Sequence, residues 1–198
     1  EHVVAAAGWR TRRLLADLIE LPTRPFRWNA VVLETEADVS GWPMGSEARL
    51  RAYWRPTDEG GLLVGGNEHT VDDPEDEPPV VVESFCETVW GEVADLLRIG
   101  DARIVREDCC PTADTATPDT WPIVDAPPEA PDGLVVATGF HGRGVMSSPC
   151  AGAAVRAFVT GEEPPFPVEG FALDRFDSRS ADFEFVSEFA GMYPDVVG

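Results

Sequence analysis

The sequence predicts an α/β chain, α+β overall, in which a partial parallel-sheet layer is interrupted by an antiparallel-sheet domain with one long helix. Three observations carry this. An apolar run at residues 134–137 meets a turn punctuated by Gly139, Gly142 and Gly144, and an alanine-rich stretch at 151–160 then reads as a helix. A second apolar run, residues 3–7, ends at Gly8 and leads into residues 12–20, whose apolar side chains recur at helical spacing. Between these pieces, the stretches 48–55 and 62–65 flank a turn at 58–61, the pattern of a hairpin. The expected division is residues 1–21 and 118–165 for the first layer, 22–117 for the antiparallel domain and 166–198 for a C-terminal tail.

Taken in order, residues 3–7 form a strand and 12–20 a helix, which Pro22 and Pro25 end. Residues 27–34 are apolar and β-prone through Val31, Val32 and Leu33. The acidic, proline-bearing run 71–79 is a loop. Val81, Val82, Phe85, Val89, Val93, Leu96 and Leu97 recur at near-helical spacing and predict one amphipathic helix ending near Gly100. Residues 102–105 read as a strand, 111–119 as a loop, 122–124 as a short extended piece and 126–133 as a proline-rich connector. In the tail, residues 181–192 predict a short helix.

A length of 198 residues with 43% hydrophobic content allows a substantial core. The formal charge is -21, from 36 acidic against 15 basic residues, and every basic residue is arginine. So large a negative field disfavours nucleic acid and anionic membranes as partners. It fits a halophilic protein, because at molar salt the screening length falls to about 3 Å and self-repulsion largely vanishes. The alternative is an ordinary acidic protein from a GC-rich genome, which explains the arginines but not the acidity. No apolar stretch is long enough to span a bilayer, and no signal peptide is expected. Cys86, Cys109, Cys110 and Cys150 show neither metal-ligand spacing nor the density of a disulfide scaffold, so no metal site is expected and a cytoplasmic location is. The opening Glu1-His2-Val3-Val4 lies inside an apparent strand and reads as a cut edge.

The glycine turn carries most of the functional information. A strand, a glycine turn and a helix in that order aim backbone N–H groups and the positive end of a helix dipole at one point. Such a point suits a phosphate, or a ring that becomes anionic on reduction. The competing reading is a tight turn that serves packing only.

Four stretches, in register, resemble the FAD-dependent oxidoreductases of the D-amino-acid oxidase, glycine oxidase and sarcosine oxidase superfamily. They are Val3-Val4-Ala5-Ala6-Ala7-Gly8 with Trp9; Tyr53-Trp54-Arg55-Pro56 with the later Gly61-Leu62-Leu63-Val64-Gly65-Gly66; Thr117-Pro118-Asp119 running to Asp125; and the turn segment 133–152 itself. The resemblance implies a partial Rossmann-like FAD-binding layer beside a substrate domain. It also implies FAD as cofactor and oxidation of the C–N bond of an amino acid or a secondary or tertiary amine, by hydride transfer to flavin N5. The G-x-G-x-x-G helix that holds the FAD pyrophosphate in that family is absent, so the chain resembles a C-terminal half. The missing N-terminal half, or a separate chain supplying it, is the expected partner beside a small amine or amino-acid substrate.

By the same resemblance, Ala7, Gly8 and Trp9 together with Gly139, Phe140, His141, Gly142, Arg143, Gly144, Val145 and Met146 border the cofactor. Arg143 is the candidate grip for a substrate carboxylate, since guanidinium matches carboxylate bidentately, or else a surface arginine. Arg55 has the same two readings, and Tyr53 either lines the substrate site or packs. His141 could tune the ring or the substrate. Sarcosine oxidases place lysines near Leu63 and at Met146; neither exists here, which leaves oxidase and dehydrogenase both open. Cys109 and Cys110 lie near where those enzymes bond flavin covalently, although buried inert thiols are the default. Two other readings stand: a non-catalytic truncated module that binds a small carboxylate or a partner chain, and one subunit of a split flavoenzyme.

Overall fold

The structure is a computed structural model that describes residues 1–192; residues 193–198 of the expected tail lie outside the described residues. In chain order its elements are β1 (Val3–Ala5), α1 (Thr11–Leu14), β2 (Arg24–Thr35), β3 (Gly45–Glu47), β4 (Ala52–Pro56), β5 (Leu62–Thr70), α2 (Glu83–Thr88), α3 (Ala94–Leu97), β6 (Ala102–Cys109), β7 (Asp114–Ala116), β8 (Ile123–Asp125), β9 (Leu134–Thr138), α4 (Gly144–Thr160) and α5 (Glu188–Met192). The α/β class is as the sequence predicts. The chain forms two compact units, one of Glu1–Pro25 with Asp114–Glu188 and one of Phe26–Ala113 with the described residues from Phe189 onward.

In the first unit, β1 pairs parallel to β9, with Val3 opposite Leu134 and Ala5 opposite Val136, and β8 pairs antiparallel on the other side of β9. Every residue of β9 is buried, as befits a central strand. Its core gathers Ala5, Leu15, Ile19, Leu21, Ile123, Leu134, Val136 and Leu173. The Thr117-Pro118-Asp119 motif closes the tail onto this sheet. Arg175 donates to both oxygens of Asp119, at 2.8 and 3.1 Å, and to the Trp121 carbonyl, while Leu173 N–H donates to Asp125 at 2.8 Å. A guanidinium only 14% exposed, held bidentately, is the geometry in which an ion pair contributes to stability.

In the second unit the strands run antiparallel in the order β3-β4-β5-β2-β6. One face packs Val31, Leu33, Leu62 and Val64 against Phe85, Val89 and Val93 of the long helix. That helix is continuous from α2 to α3 through a π-helical stretch, Val89–Val93, and ends at Arg98 in the left-handed conformation. Arg27 is buried within this unit, its guanidinium donating to the carbonyls of Pro74, Pro78 and Thr112 at 2.8–3.0 Å. It thereby fastens the acidic loop to the sheet.

Several elements differ from the sequence expectation. The helix expected at 12–20 is regular only over α1. Its continuation tightens into turns, with Leu18 and Ile19 N–H both reaching the Leu15 carbonyl, so that Leu15, Ile19 and Leu21 all enter one core. The loop expected at 111–119 contains β7. The helix expected to begin at residue 151 begins at Gly144, with Pro149 inside it. Proline cannot donate to the Val145 carbonyl, and the Ser148 hydroxyl takes that place at 2.8 Å. Residues 48–51 form a turn rather than strand, with Arg51 at φ 49. In the tail, only α5 of the expected helix forms.

Candidate functional site: the glycine turn between β9 and α4

Buried β9 leads straight into the turn. Gly139, His141 and Gly142 take positive φ values of 72, 52 and 85°, reversing the chain within four residues. At Gly139 this is obligatory on two counts: its φ lies in the left-handed region, and a Cβ there would sit 2.4 Å from Thr117 Cγ2. The His141 N–H donates to the Thr115 carbonyl at 3.0 Å, which ties the turn to β7. The Thr138 hydroxyl donates to the Gly8 carbonyl at 3.1 Å and so brings the end of β1 to the same place. There the Ala7 N–H donates to Thr11 Oγ1 at 3.0 Å, and the Arg10 guanidinium lies over the Trp9 ring at 4.4 Å.

Helix α4 then starts with Arg143 at its N-cap. No side chain caps it, and its first turn holds no acidic residue. The first intrahelical bond runs from Ser147 N–H to the Arg143 carbonyl. The preceding N–H groups of the helix are left to whatever the site receives. Gly142 is exposed, and so are Val145 at 91% and Met146 at 72%. Thus the N-terminal end of a 17-residue helix is open, apolar at its rim and without a compensating negative group of its own.

The structure brings Gly8 against Thr138, the residue that leads into the turn at 139–146, while Tyr53 and Arg55 belong to the other unit. Those two share one face of β4, opposite to buried Ala52. Tyr53 is half-buried, set edge-on to Trp28 at 6.2 Å, and it crosses β5 over Gly65, where a Cβ would lie 2.3 Å from its Cζ. Arg55 is exposed and donates to the Pro56 carbonyl at 3.3 Å.

Two side chains behave differently from expectation. The His141 imidazole faces inward: it is fully buried, stacks on Phe185 at 5.6 Å and hydrogen-bonds the Val186 carbonyl through Nε2 at 2.9 Å. Burial above all, with the Arg143 charge beside it, lowers its pKa from 6.5 to about 4, against the opposing pull of Val186 and Asp119. The left-handed backbone at this residue sends the ring into the core and leaves only its main chain at the turn. Arg143 is not a surface arginine either. Only 13% exposed, its side chain donates to the Thr120 carbonyl, lies 3.9 Å from Glu188 and covers the Trp121 ring at 5.4 Å. Its charge is therefore engaged within the unit. Beside it lies a cavity of about 390 Å³ walled by Trp121, Phe140, Met146, Cys150 and Phe171, almost wholly apolar.

Asp114 carried no signal in the sequence, because it sits in a Thr- and Pro-rich stretch read as loop. The structure puts it at the start of β7, against the turn. Its carboxylate accepts the Thr115 N–H at 2.7 Å. Burial raises its pKa, with the main-chain N–H groups of Thr115 and then Gly142 acting the other way. All four cysteines are free, and burial pushes the Cys109 thiol up from its ordinary value, which keeps it protonated. Among the described residues there is no cluster fit for a metal ion and no helix long and apolar enough to cross a membrane.

A parallel strand pair, a glycine turn and an uncapped helix suit an anionic or electron-rich ligand, and a sequence comparison gives the family. Residues 1–157 match the family described as FAD dependent oxidoreductase, DAO, and the chain belongs to it. FAD is the cofactor of that family. Among solved structures, the fold is similar to glycine oxidase from Geobacillus kaustophilus, with TM-score 0.71 and 23% identity over 90% of this chain and 46% of that one. It is also similar to L-proline dehydrogenase from P. horikoshii, at 0.70 and 22% over 89% and 47%, and to iminodiacetate oxidase from Chelativorans sp. BNC1, at 0.66 and 22% over 87% and 46%. No curated protein matches the sequence. The chain spans less than half the length of these structures.

The residues present fit FAD. Trp9 Nε1 is buried without a partner beside the end of β1, and the turn offers main-chain N–H groups at an open helix end. A Cβ at Gly8 would meet nothing within 4 Å, so the approach along this side is clear.

Proposed function

We propose that this chain forms the C-terminal part of an FAD-dependent oxidoreductase acting on the C–N bond of an amino acid or of a secondary or tertiary amine. The observation that carries the proposal is the open, uncapped N-terminal end of α4 following the turn at residues 139–143. Bound FAD supplies a two-electron acceptor for the hydride on the carbon next to nitrogen. The chain's part is electrostatic. The main-chain N–H groups of residues 144–146 and the dipole of α4 would face the edge of the ring where negative charge develops, and they are in place before reaction. One preorganised donor of this kind contributes about 2.7–4 kcal/mol in comparable oxyanion settings. Ala7, Gly8 and Trp9 border the ring from the end of β1, and Val145 and Met146 exclude water at the rim. Tyr53 and Arg55 are proposed substrate contacts of the other unit.

The cradle for the nucleotide half of FAD belongs, in this reading, to the part of the family's length that the chain does not span, in the same polypeptide or in a separate one. The similarity to glycine oxidase, proline dehydrogenase and iminodiacetate oxidase supports an amine or amino-acid substrate. The test is the flavin absorbance spectrum of the full-length gene product, followed by bleaching with amino acids and N-methyl amines. A product that neither carries nor takes up flavin overturns the proposal. For the 198-residue chain alone, FAD binding should be weak or absent, and isothermal titration showing tight stoichiometric binding contradicts that expectation.

A further inference from the structure

The glycine turn accounts for one end of α4 only. Along a flank of the same helix runs the cavity of about 390 Å³, and every residue that lines it belongs to the unit built from residues 1–25 and 114–188. Met146, Cys150 and Ala154 line it from positions four apart on α4. Positions so spaced share one side of a helix, so the cavity follows α4 for about 12 Å away from its N-terminal end. The aromatic walls are Trp121, Phe140, Phe166 and Phe171, with the Trp121 and Phe171 rings 6.2 Å apart and tilted by 54°. Two of the large apolar side chains that line it are left in water, Trp121 at 52% exposed and Met146 at 72%.

We propose that this cavity binds a small neutral aromatic molecule, of one or two fused rings with at most a hydroxyl or an N–H, at a site separate from the open end of α4. Charge decides the first half of that description. The one charged side chain in the wall is Arg143, already engaged by Glu188 at 3.9 Å and by the Thr120 carbonyl, and among the described residues no acidic side chain lines the cavity. A charged guest would lose its water without gaining a free partner, which disfavours it. Shape and polarisability decide the second half. Four rings and the Met146 thioether favour a flat, π-rich guest over an aliphatic one, through offset or edge contacts between rings and sulfur at a ring edge. The Ser147 hydroxyl and the Cys150 thiol are the neutral polar groups of the wall, enough for a single hydroxyl or N–H on the guest. The volume lies within the range of small-molecule sites, about 300–1,000 Å³. Nothing in this argument requires flavin, so the site stands or falls apart from the oxidoreductase reading.

The test titrates the isotope-labelled 198-residue chain with indole and with 2-naphthol, and separately with 2-naphthoate and cyclohexanol, while NMR follows the Trp121 indole N–H and the Met146 methyl group. The expected result is a saturable shift of both resonances with the two neutral aromatics, and binding of the carboxylate and of the aliphatic alcohol weaker by about tenfold or more. The neutral aromatics should also slow alkylation of Cys150 by iodoacetamide, read peptide by peptide in a mass spectrometer, and leave the rates at Cys86, Cys109 and Cys110 of the other unit unchanged. Ala151→Leu, which places a larger side chain in the wall, should weaken indole binding by about tenfold or more. Absence of a saturable shift with the neutral aromatics, naphthoate or cyclohexanol binding as tightly as they do, unprotected Cys150, or unchanged affinity in Ala151→Leu overturns the proposal. Should the variant fail to fold, the wild-type shifts and the Cys150 protection decide. The same alkylation is run on the full-length gene product. Protection of Cys150 by indole there supports the ligand site, whereas a Cys150 that is inert with or without indole shows that further chain covers this flank, and the ligand site is then lost.

Discussion

Acidifying this protein should release the C-terminal segment from the glycine turn, and His141 is the reason. Its ring is fully buried between the turn and Phe185, with Nε2 on the Val186 carbonyl. Desolvation lowers its pKa from 6.5 to about 4, so the folded protein holds it neutral where the unfolded chain would protonate it. The sign follows from that. Above pH 6.5 both states carry a neutral ring and the residue costs nothing; below it the unfolded state binds a proton that the folded state refuses, so stability falls progressively until about pH 4. At about 1.36 kcal/mol per pH unit across the window, lowering the pH from 7.5 to 5.0 costs about 2 kcal/mol through this residue alone. In a chain of this size that is a drop of about 4–8 °C in melting temperature. Carboxylates titrate over the same range, so the measurement is a difference: urea melts of wild type and His141→Gln at both pH values. Glutamine supplies a neutral donor and does not titrate. The variant should lose about 2 kcal/mol less than wild type on acidification. Equal losses in the two proteins, or an imidazole that titrates near 6.5 by NMR, would refute the reasoning.

Two further outcomes follow from the same structure. Gly139→Ala forces a side chain into the left-handed region and against Thr117, and should destabilise by about 2–5 kcal/mol from backbone strain plus overpacking. Adding Thr117→Ser removes the clashing methyl and should restore part of that loss; strictly additive losses in a double-mutant cycle would show that crowding plays no part. The acidic surface predicts a melting temperature that climbs steeply between low and molar KCl as self-repulsion is screened, and melts that do not move with salt would remove salt adaptation as its explanation.

Local chemistry made much of the fold legible. Apolar runs with glycine or proline punctuation located β1, β8, β9, the β4–β5 hairpin and the long helix through Val89, because such patterns record which side of an element must leave water. The errors came where a local rule was outweighed by a neighbour. The alanine-rich stretch predicts α4 only from residue 151, yet the helix starts at Gly144 and one serine hydroxyl satisfies the carbonyl that Pro149 strands. The stretch 111–119 lacks an apolar alternation, and β7 within it holds the turn through Thr115.

From sequence alone came the family resemblance, the cofactor and the turn that would face it, since a strand, three glycines and a helix are contiguous and their chemistry is local. Only the tertiary structure decided which side chains the turn presents. His141 and Arg143 lie inside that contiguous segment, yet one is stacked on Phe185 and the other committed to Thr120 and Glu188. Thr115, outside it, holds the turn by accepting the His141 N–H. Such pairings join residues far apart in the chain, and their geometry is set by how β7, β9 and the C-terminal segment pack together, which no spacing along one strand can encode.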